Sequence, residues 1–340
     1  MSRAGLNRKT ALATATLVVA AEISDVDVLW AFGGPIAGLQ HHRGWTHAFV
    51  GVPAMAALAL FLVWGWNRLF VRKHAPGPGS PVALGRVRPP VRWKLLYGYA
   101  CLGALSHILL DYTTSYGIRM FEPFSYRWYS WDTVYIVEPI MLLVLVAGLL
   151  VPSLFALVQE EIGARRPQFR GRGGAIFALA AIVVLWGVRD YQHRRAVAAL
   201  EARLYQGADP LRAAAYPYPW NPFLWHGVVE TQGSFETVQV DTLRNEVDPQ
   251  DRARVYYKPE ETPVLLAAKQ SYLGTVYLDW AAYPMTETEP LEERDAAWRV
   301  RFFDLRYTYP ETRASVLRAS VDLDKNLHVV LQRFGRRVQK

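Results

Sequence analysis

Cysteine is almost absent. Cys101 is the one cysteine in 340 residues, and it lies inside an apolar run. A disulfide framework within the chain is therefore excluded. Zinc sites of the thiolate type are excluded too, so a metal here must be held by His, Asp and Glu. A secretory cleavage site is also missing. Arg3, Arg8 and Lys9 precede an apolar stretch, but Glu22, Asp25 and Asp27 interrupt it and no clean small-x-small signal follows. The first residues do not read as a cleaved signal peptide. Excess charge is missing from the second half. Residues 191–340 carry 20 basic and 20 acidic side chains, residues 1–190 carry 18 and 10, and the whole net charge of +8 lies in the first part. Its basic residues sit in short loops between apolar runs, which is a topology signal and not a nucleic-acid surface.

Apolar runs are what the sequence has in quantity. Hydrophobic residues make up 51% of the chain, although mean hydropathy is only +0.04. Five stretches, 10–32, 46–70, 93–112, 134–158 and 174–188, approach the roughly 20 mostly apolar residues of a spanning helix. The second, fourth and fifth are clean. The first holds Glu22, Asp25 and Asp27, and the third ends in His107 and Asp111. Ionisable groups at membrane depth are costly, and by default they point to function.

Lys/Arg bias orients the spans. Arg3, Arg8 and Lys9 flank the first span, seven basic residues from Arg68 to Lys94 surround the loop after the second, and Arg165, Arg166, Arg170 and Arg172 separate the fourth from the fifth. The opposite loops hold only Arg43, Arg119 and Arg127. The expected protein is mainly α. A transmembrane helical bundle of about five spans fills 1–190, an amphipathic connecting helix fills 191–215, and a small α+β soluble domain fills 216–340. It is expected to be an integral membrane protein, in contact with the lipid bilayer, with its C-terminal domain extracytoplasmic. The Pro-, Gly- and Ser-rich stretch 73–92 reads as an unstructured connector.

That topology gathers the unusual polar residues at one face of the membrane. Asp25 and Asp27 end the first span, His41, His42 and His47 open the second, His107 and Asp111 end the third, and Asp132 and Glu138 open the fourth. In "SHILLD", His107 and Asp111 are four apart and share a helix face, so both can reach one cation. His42 and His47 in "HRGWTH" are five apart, which suits a loop-to-helix turn, with Gly44 allowing close approach and Thr46 as a helix N-cap. "SDVD" places two carboxylates two residues apart, able to splay around a cation or to divide ligand and supporting roles. Each piece has a bland reading: a solvated His41, a cap at Asp-x-Asp, a structural His107–Asp111 pair. Their meeting at one face favours a metal site.

"SDVD", "HRGWTH" and "SHILLD" followed by "TTSYG" resemble, in this order, the motifs of the YdjM-type membrane-bound metal-dependent hydrolases, over roughly residues 5 to 150. The HxxxD element is also similar, more distantly, to zinc-dependent phospholipase C enzymes. The resemblance implies metal ligation by Asp25 or Asp27, by His42 and His47, and by His107 and Asp111. It places Arg43 beside the metal, suited to an anionic substrate oxygen. Ser24 stands where the family usually has proline. Members usually begin with a short helix bearing an Asp and a Thr-His pair, which "MSRAGLNRKT" lacks. Either a ligand is missing or, as we prefer, the true start lies upstream. The implied chemistry is hydrolysis through a metal-activated water, with zinc as the divalent metal, or manganese or iron. Asp132 or Glu138 would serve as base or as support for a ligand. The expected substrate is a phosphoester or a lipid-linked envelope compound. The alternative is a non-enzymatic metal-binding membrane protein, as a transporter component or an envelope-assembly scaffold.

After residue 190, "RDYQHRRAVAALEARL" reads as an amphipathic helix leaving the membrane. "YPYPWNPFLWHG" reads as a packed turn near the interface, and as a binding groove in the alternative. "FETVQVDTL", "AWRVRFFDLRYTY", "ASVDLD" and "LHVVLQRF" alternate as strands do, with "DKN" as a hairpin turn between the last two, and a helix fits 263–273. No catalytic constellation stands out there. His226 and His328 read as structural.

Overall fold

The computed structural model describes residues 1–71, 89–161, 171–293, 295–309, 317–335 and 337–339. Most of the expected connector at 73–92 and the basic residues 165, 166 and 170 lie outside the described residues. The chain divides into two units. One comprises Met1–Val26, Arg43–Ser130 and Val137–Gly187, and the other Asp27–His42, Trp131–Ile136 and Val188–Lys340.

The first unit is helical: α1 (Ala13–Glu22), α3 (Val52–Trp66), α4 (Trp93–Thr113), α5 (Pro139–Glu161) and the first part of α6 (Arg172–Glu201). α2 (Pro35–His41) belongs to the second unit. Among the described residues two helical stretches, Val52–Phe70 and Arg172–Glu201, are long and apolar enough to cross a membrane, and Pro139–Pro152 is a shorter apolar helix. The expected first span is interrupted, because α1 gives way after Glu22 to a 3-10 segment, Ile23–Gly33. α4 has the length of a span, but Lys94, His107 and Asp111 dilute its apolar character.

Small residues decide how these helices meet. Ala20, Ala56, Ala59, Ala100 and Ala104 are fully buried. A Cβ on Gly103 would lie 2.9 Å from the Ala20 Cβ and 3.1 Å from the Leu17 carbonyl oxygen, so α1 and α4 touch almost backbone to backbone. Close packing of small residues is the main source of helix association where no water is present to drive it. It brings the C-terminal ends of α1 and α4 and the approach to α3 together, and the site stands on those three ends. Gly103→Val should force α1 off α4 at a cost of about 1–3 kcal/mol. A lowered melting temperature and a weaker hold on metal in the purified protein are the expected results.

The second unit holds two antiparallel five-stranded sheets. In the first, β1 (Arg212–Pro217), β2 (Leu224–Glu230) and β3 (Ser234–Asp241) lie in sequence order, and β3 also pairs with β4 (Glu246–Val247) and β5 (Arg254–Tyr257). The second runs β10 (Arg337–Gln339), β9 (Val329–Phe334), β8 (Ala319–Leu323), β7 (Trp298–Asp304), β6 (Pro284–Pro290). Both faces of β2 are buried. Trp225 and Val229 pack with Ala196 and Leu200 of α6, while Val228 packs with Phe303 and Leu305 and the rings of Tyr216 and Tyr283. α6 is one continuous helix to Glu201, so the connecting helix expected at 191–215 is its last part, followed by turns leading to β1. The expected helix at 263–273 is two, α7 (Pro263–Gln270) and α8 (Tyr272–Trp280). Ser271 separates them, its hydroxyl capping α8 at Gly274 N.

A charged ladder crosses β7, β8 and β9. Arg299 Nε and Nη2 donate to the two oxygens of Asp322 at 2.7 and 2.9 Å, and Arg333 donates a third bond. Burial alone would raise the Asp322 pKa, but the guanidinium hydrogen bonds outweigh it and hold the carboxyl below its usual range. A carboxylate depressed on folding adds stability that is complete above about pH 4 and is lost as pH falls through the folded value. Asp322→Asn should cost about 2 kcal/mol at pH 7. The difference from the parent chain should shrink in melts near pH 3.

Candidate metal centre

Asp25 lies just beyond α1, in the Ile23–Gly33 segment. His47 closes a run of tight turns. After α2, Arg43 takes a left-handed backbone (φ 55°), Gly44 follows, and Trp45–His47 make one 3-10 turn. The His47 N–H bonds to the Gly44 carbonyl at 2.9 Å and the Gly51 N–H to that of Ala48 at 2.9 Å. A Cβ on Gly51 would fall 2.2 Å from the Trp45 carbonyl oxygen, so this fold of the loop requires glycine there. The result is a His47 ring with no exposed surface. His107 and Asp111 stand one turn apart near the end of α4.

These four side chains converge. His47 Nε2 lies 3.2 Å from His107 Nε2, 3.4 Å from Asp25 Oδ1 and 3.2 Å from Asp111 Oδ2. His107 Nε2 lies 3.3 Å from Asp25 Oδ1 and 3.5 Å from Asp111 Oδ2. A cation bonded at roughly 2.0–2.1 Å to donors at the corners of a tetrahedron holds them about 3.3–3.4 Å apart. Five of the six edges thus have the length such a centre needs, and one donor atom from each residue falls within 4.8 Å of the others. Asp111 Oδ2 is buried and has no hydrogen-bond partner among the described residues, as expected of an atom whose partner is a cation. The residues fit a divalent metal. Access is uneven: side-chain exposure is 0% for His47, 13% for His107 and 15% for Asp111, but 49% for Asp25.

The surrounding groups orient the donors. Arg43 Nη2 donates to Asp111 Oδ1 at 2.9 Å, and its Nη1 donates to Thr114 Oγ1 at 3.3 Å. The Thr114 hydroxyl donates to the Asp111 carbonyl at 2.8 Å. The guanidinium lies 4.8 Å from the Tyr116 ring centroid, and the Arg43 carbonyl accepts from Arg119 N at 3.0 Å. One carboxylate oxygen of Asp111 is thereby held by arginine while the other faces the two imidazoles. Arg43, expected to receive a substrate oxygen, spends its guanidinium on Asp111, Thr114 and Tyr116. Thr46, expected as a helix cap, is not one, because α3 starts only at Val52. Its Oγ1 lies 3.0 Å from His47 Nδ1. If the ring N–H donates there, the neutral imidazole presents Nε2 to the cluster.

The other expected site residues stand elsewhere. Asp27 and His42 belong to the second unit and pair with each other, His42 Nδ1 to Asp27 Oδ1 at 3.1 Å. Asp132 is also in the second unit, with a left-handed backbone (φ 56°). There its charge adds to the burial that pushes the Tyr216 hydroxyl far above its usual pKa. Glu138 is buried in the first unit just ahead of α5 and is not one of the four clustered residues. Thr114 and Tyr116 lie in "TTSYG", one residue beyond the HxxxD motif, and no spacing in the sequence singles them out.

Residues 1–196 match the family model described as YdjM inner membrane protein. The chain belongs to this family. No curated protein and no solved structure matches it. The YdjM match contains all four clustered donors and Arg43, and it ends within α6, ahead of β1. It makes this an inner-membrane protein. Arg43→Met should leave the Asp111 carboxylate without its neutralising partner and free to rotate. A 10–100-fold loss of metal affinity, the usual effect of removing a supporting partner, is expected in competition with a chromophoric chelator.

Proposed function

We propose that this protein is a metal-dependent hydrolase of the inner membrane, with Asp25, His47, His107 and Asp111 holding one divalent cation. The observation that carries this reading is the set of 3.2–3.5 Å separations among donors from three different segments. Zinc suits two imidazoles and two carboxylates in a tetrahedron, and manganese or iron suits the same donor types. When bound, the cation supplies a Lewis acid and a water acidic enough to be ionised near neutral pH. The residues do the rest. His47 and His107 form the buried floor, Asp111 is held by Arg43, and the half-exposed Asp25 is the ligand positioned to yield to an incoming oxygen. A phosphoester or lipid-linked envelope compound is the proposed substrate, because the donors belong to segments that the charge count assigns to the outer face.

The orientation belongs to the same proposal: about five spans, cytoplasmic basic loops and an extracytoplasmic C-terminal domain. It is supported by the makeup of the second unit. Its segments 27–42, 131–136 and 188–340 fall almost wholly in the stretches that the Lys/Arg bias puts on one side.

A second reading has its own support. Four protein donors complete a tetrahedron, which is the habit of structural zinc, whereas catalytic sites keep a position open. A non-enzymatic metal-binding protein would then be the better description. Metal analysis and turnover separate the two. Near-stoichiometric zinc or manganese, lost in His107→Ala, is expected. Asp25→Ala should keep the metal at reduced affinity and lose turnover of a bis-(p-nitrophenyl) phosphate probe. A parent chain that holds metal without turnover, and an Asp25→Ala chain that loses metal and melting temperature together, would favour the structural role. A metal-free parent protein would remove both readings.

A further inference from the structure

The first unit contains an apolar slot that has no part in the metal centre. It has a volume of about 410 Å3, within the range of about 300–1,000 Å3 typical of small-ligand sites. One wall is a face of α1, carrying Leu17, Val18 and Ala21; the other is formed by Leu145 and Leu149 of α5 and Leu179 of α6. The α5 and α6 backbones are in contact. A Cβ on Gly148 would lie 2.7 Å from the Ala178 Cβ, and one on Gly174 would lie 2.5 Å from the Gly148 carbonyl oxygen. Those two helices close on each other and leave the gap against α1.

The ends of the slot differ in charge. Arg3 lines it, and Arg172 lies close by, bonded through Nε to the Ala4 carbonyl at 3.2 Å. Arg3 Nη1 donates to the Leu149 carbonyl at 3.3 Å. Both arginines are exposed, and among the described residues no carboxylate pairs with either. Glu22 lines the slot too, eight residues beyond Thr14 on α1, or about 12 Å at the helical rise. An anion is attracted at the arginine end and repelled at the glutamate end.

We propose that this slot binds one anionic phospholipid, its phosphate at Arg3 and Arg172 and one acyl chain along α1. Charge complementarity favours this occupant. Two unneutralised guanidiniums beside an apolar shaft between helices of an inner-membrane protein match a phosphodiester joined to a hydrocarbon chain, and basic pockets of this kind recognise lipid headgroups. Under the orientation proposed above, the lipid comes from the cytoplasmic leaflet. It is then a different molecule from any substrate at the metal centre.

The test is native mass spectrometry of the full chain in mild detergent, with dioleoyl-phosphatidylglycerol or dioleoyl-phosphatidylcholine added. One phosphatidylglycerol per chain should be retained, and phosphatidylcholine should not. Replacing both arginines, as R3Q/R172Q, should weaken phosphatidylglycerol binding roughly 30-fold with metal content unchanged, so the outcome stands apart from the fate of the metal reading. Val18→Trp, at a half-open position on the shaft wall, should displace the lipid while both arginines remain. Equal retention of the two lipids, or phosphatidylglycerol binding by R3Q/R172Q at the parent's affinity, overturns the proposal. A dimer mass in place of bound lipid also overturns it and assigns the slot to a second copy of the chain.

Discussion

Two imidazole nitrogens and two carboxylate oxygens aimed at one point need something positive among them. Nitrogen lone pairs 3.2 Å apart repel unless a proton or a cation lies between, and two carboxylates add to the imbalance. A single guanidinium, that of Arg43, offsets part of it from one side. Much of the first unit serves this convergence. The alanine and glycine contacts between α1, α3 and α4 bring three chain ends within reach of one another. The left-handed Arg43 and the packed Gly51 then turn the His47 ring inward from a loop that would otherwise carry it into solvent. Left-handed backbone at a non-glycine residue costs of order 1–3 kcal/mol, and it persists only where surrounding contacts overdetermine it. At Arg43 those contacts are Asp111, Thr114, Tyr116 and the Arg119 amide.

The second unit is stabilised by a different balance. It buries aromatic and aliphatic side chains between sheets and helices. It also encloses charge. Burial opposes the charge on Arg306, but the carboxylate of Asp304 together with the other groups around it outweighs burial and keeps the guanidinium protonated, with the ring of Trp280 at 4.8 Å. Asp132 contributes to the same field. An acid that reads as a candidate base therefore contributes to the field around a buried ion pair in the second unit.

Period and spacing explain what was legible. His107 and Asp111 share a face whatever surrounds them, because four residues make about one helical turn. The strands at 234–241, 298–304, 319–323 and 329–334 alternate, so sequence reveals them. β2 does not alternate, since its middle five residues are all buried, and a strand covered on both faces loses the period-two signal. β6, "PMTETEP", is poor in strand formers and gains its structure from β7. The acids in "SDVD" were not separable by sequence, because a two-residue spacing says nothing about which carboxylate meets the histidines. The same holds for His42 and His47: one pairs with Asp27 and the other meets His107.

The sequence by itself determined that thiolates take no part, that basic residues gather in loops between apolar runs, and that His, Asp and Arg cluster in the order "SDVD", "HRGWTH", "SHILLD". Those are properties of composition and of local geometry, which no packing can change. Tertiary structure decided which members of each motif converge. It chose Asp25 over Asp27 and His47 over His42, and it set Arg43 on Asp111. Distances between segments about 20 to 90 residues apart depend on how closely helices approach, and here that approach rests on Gly103 against Ala20.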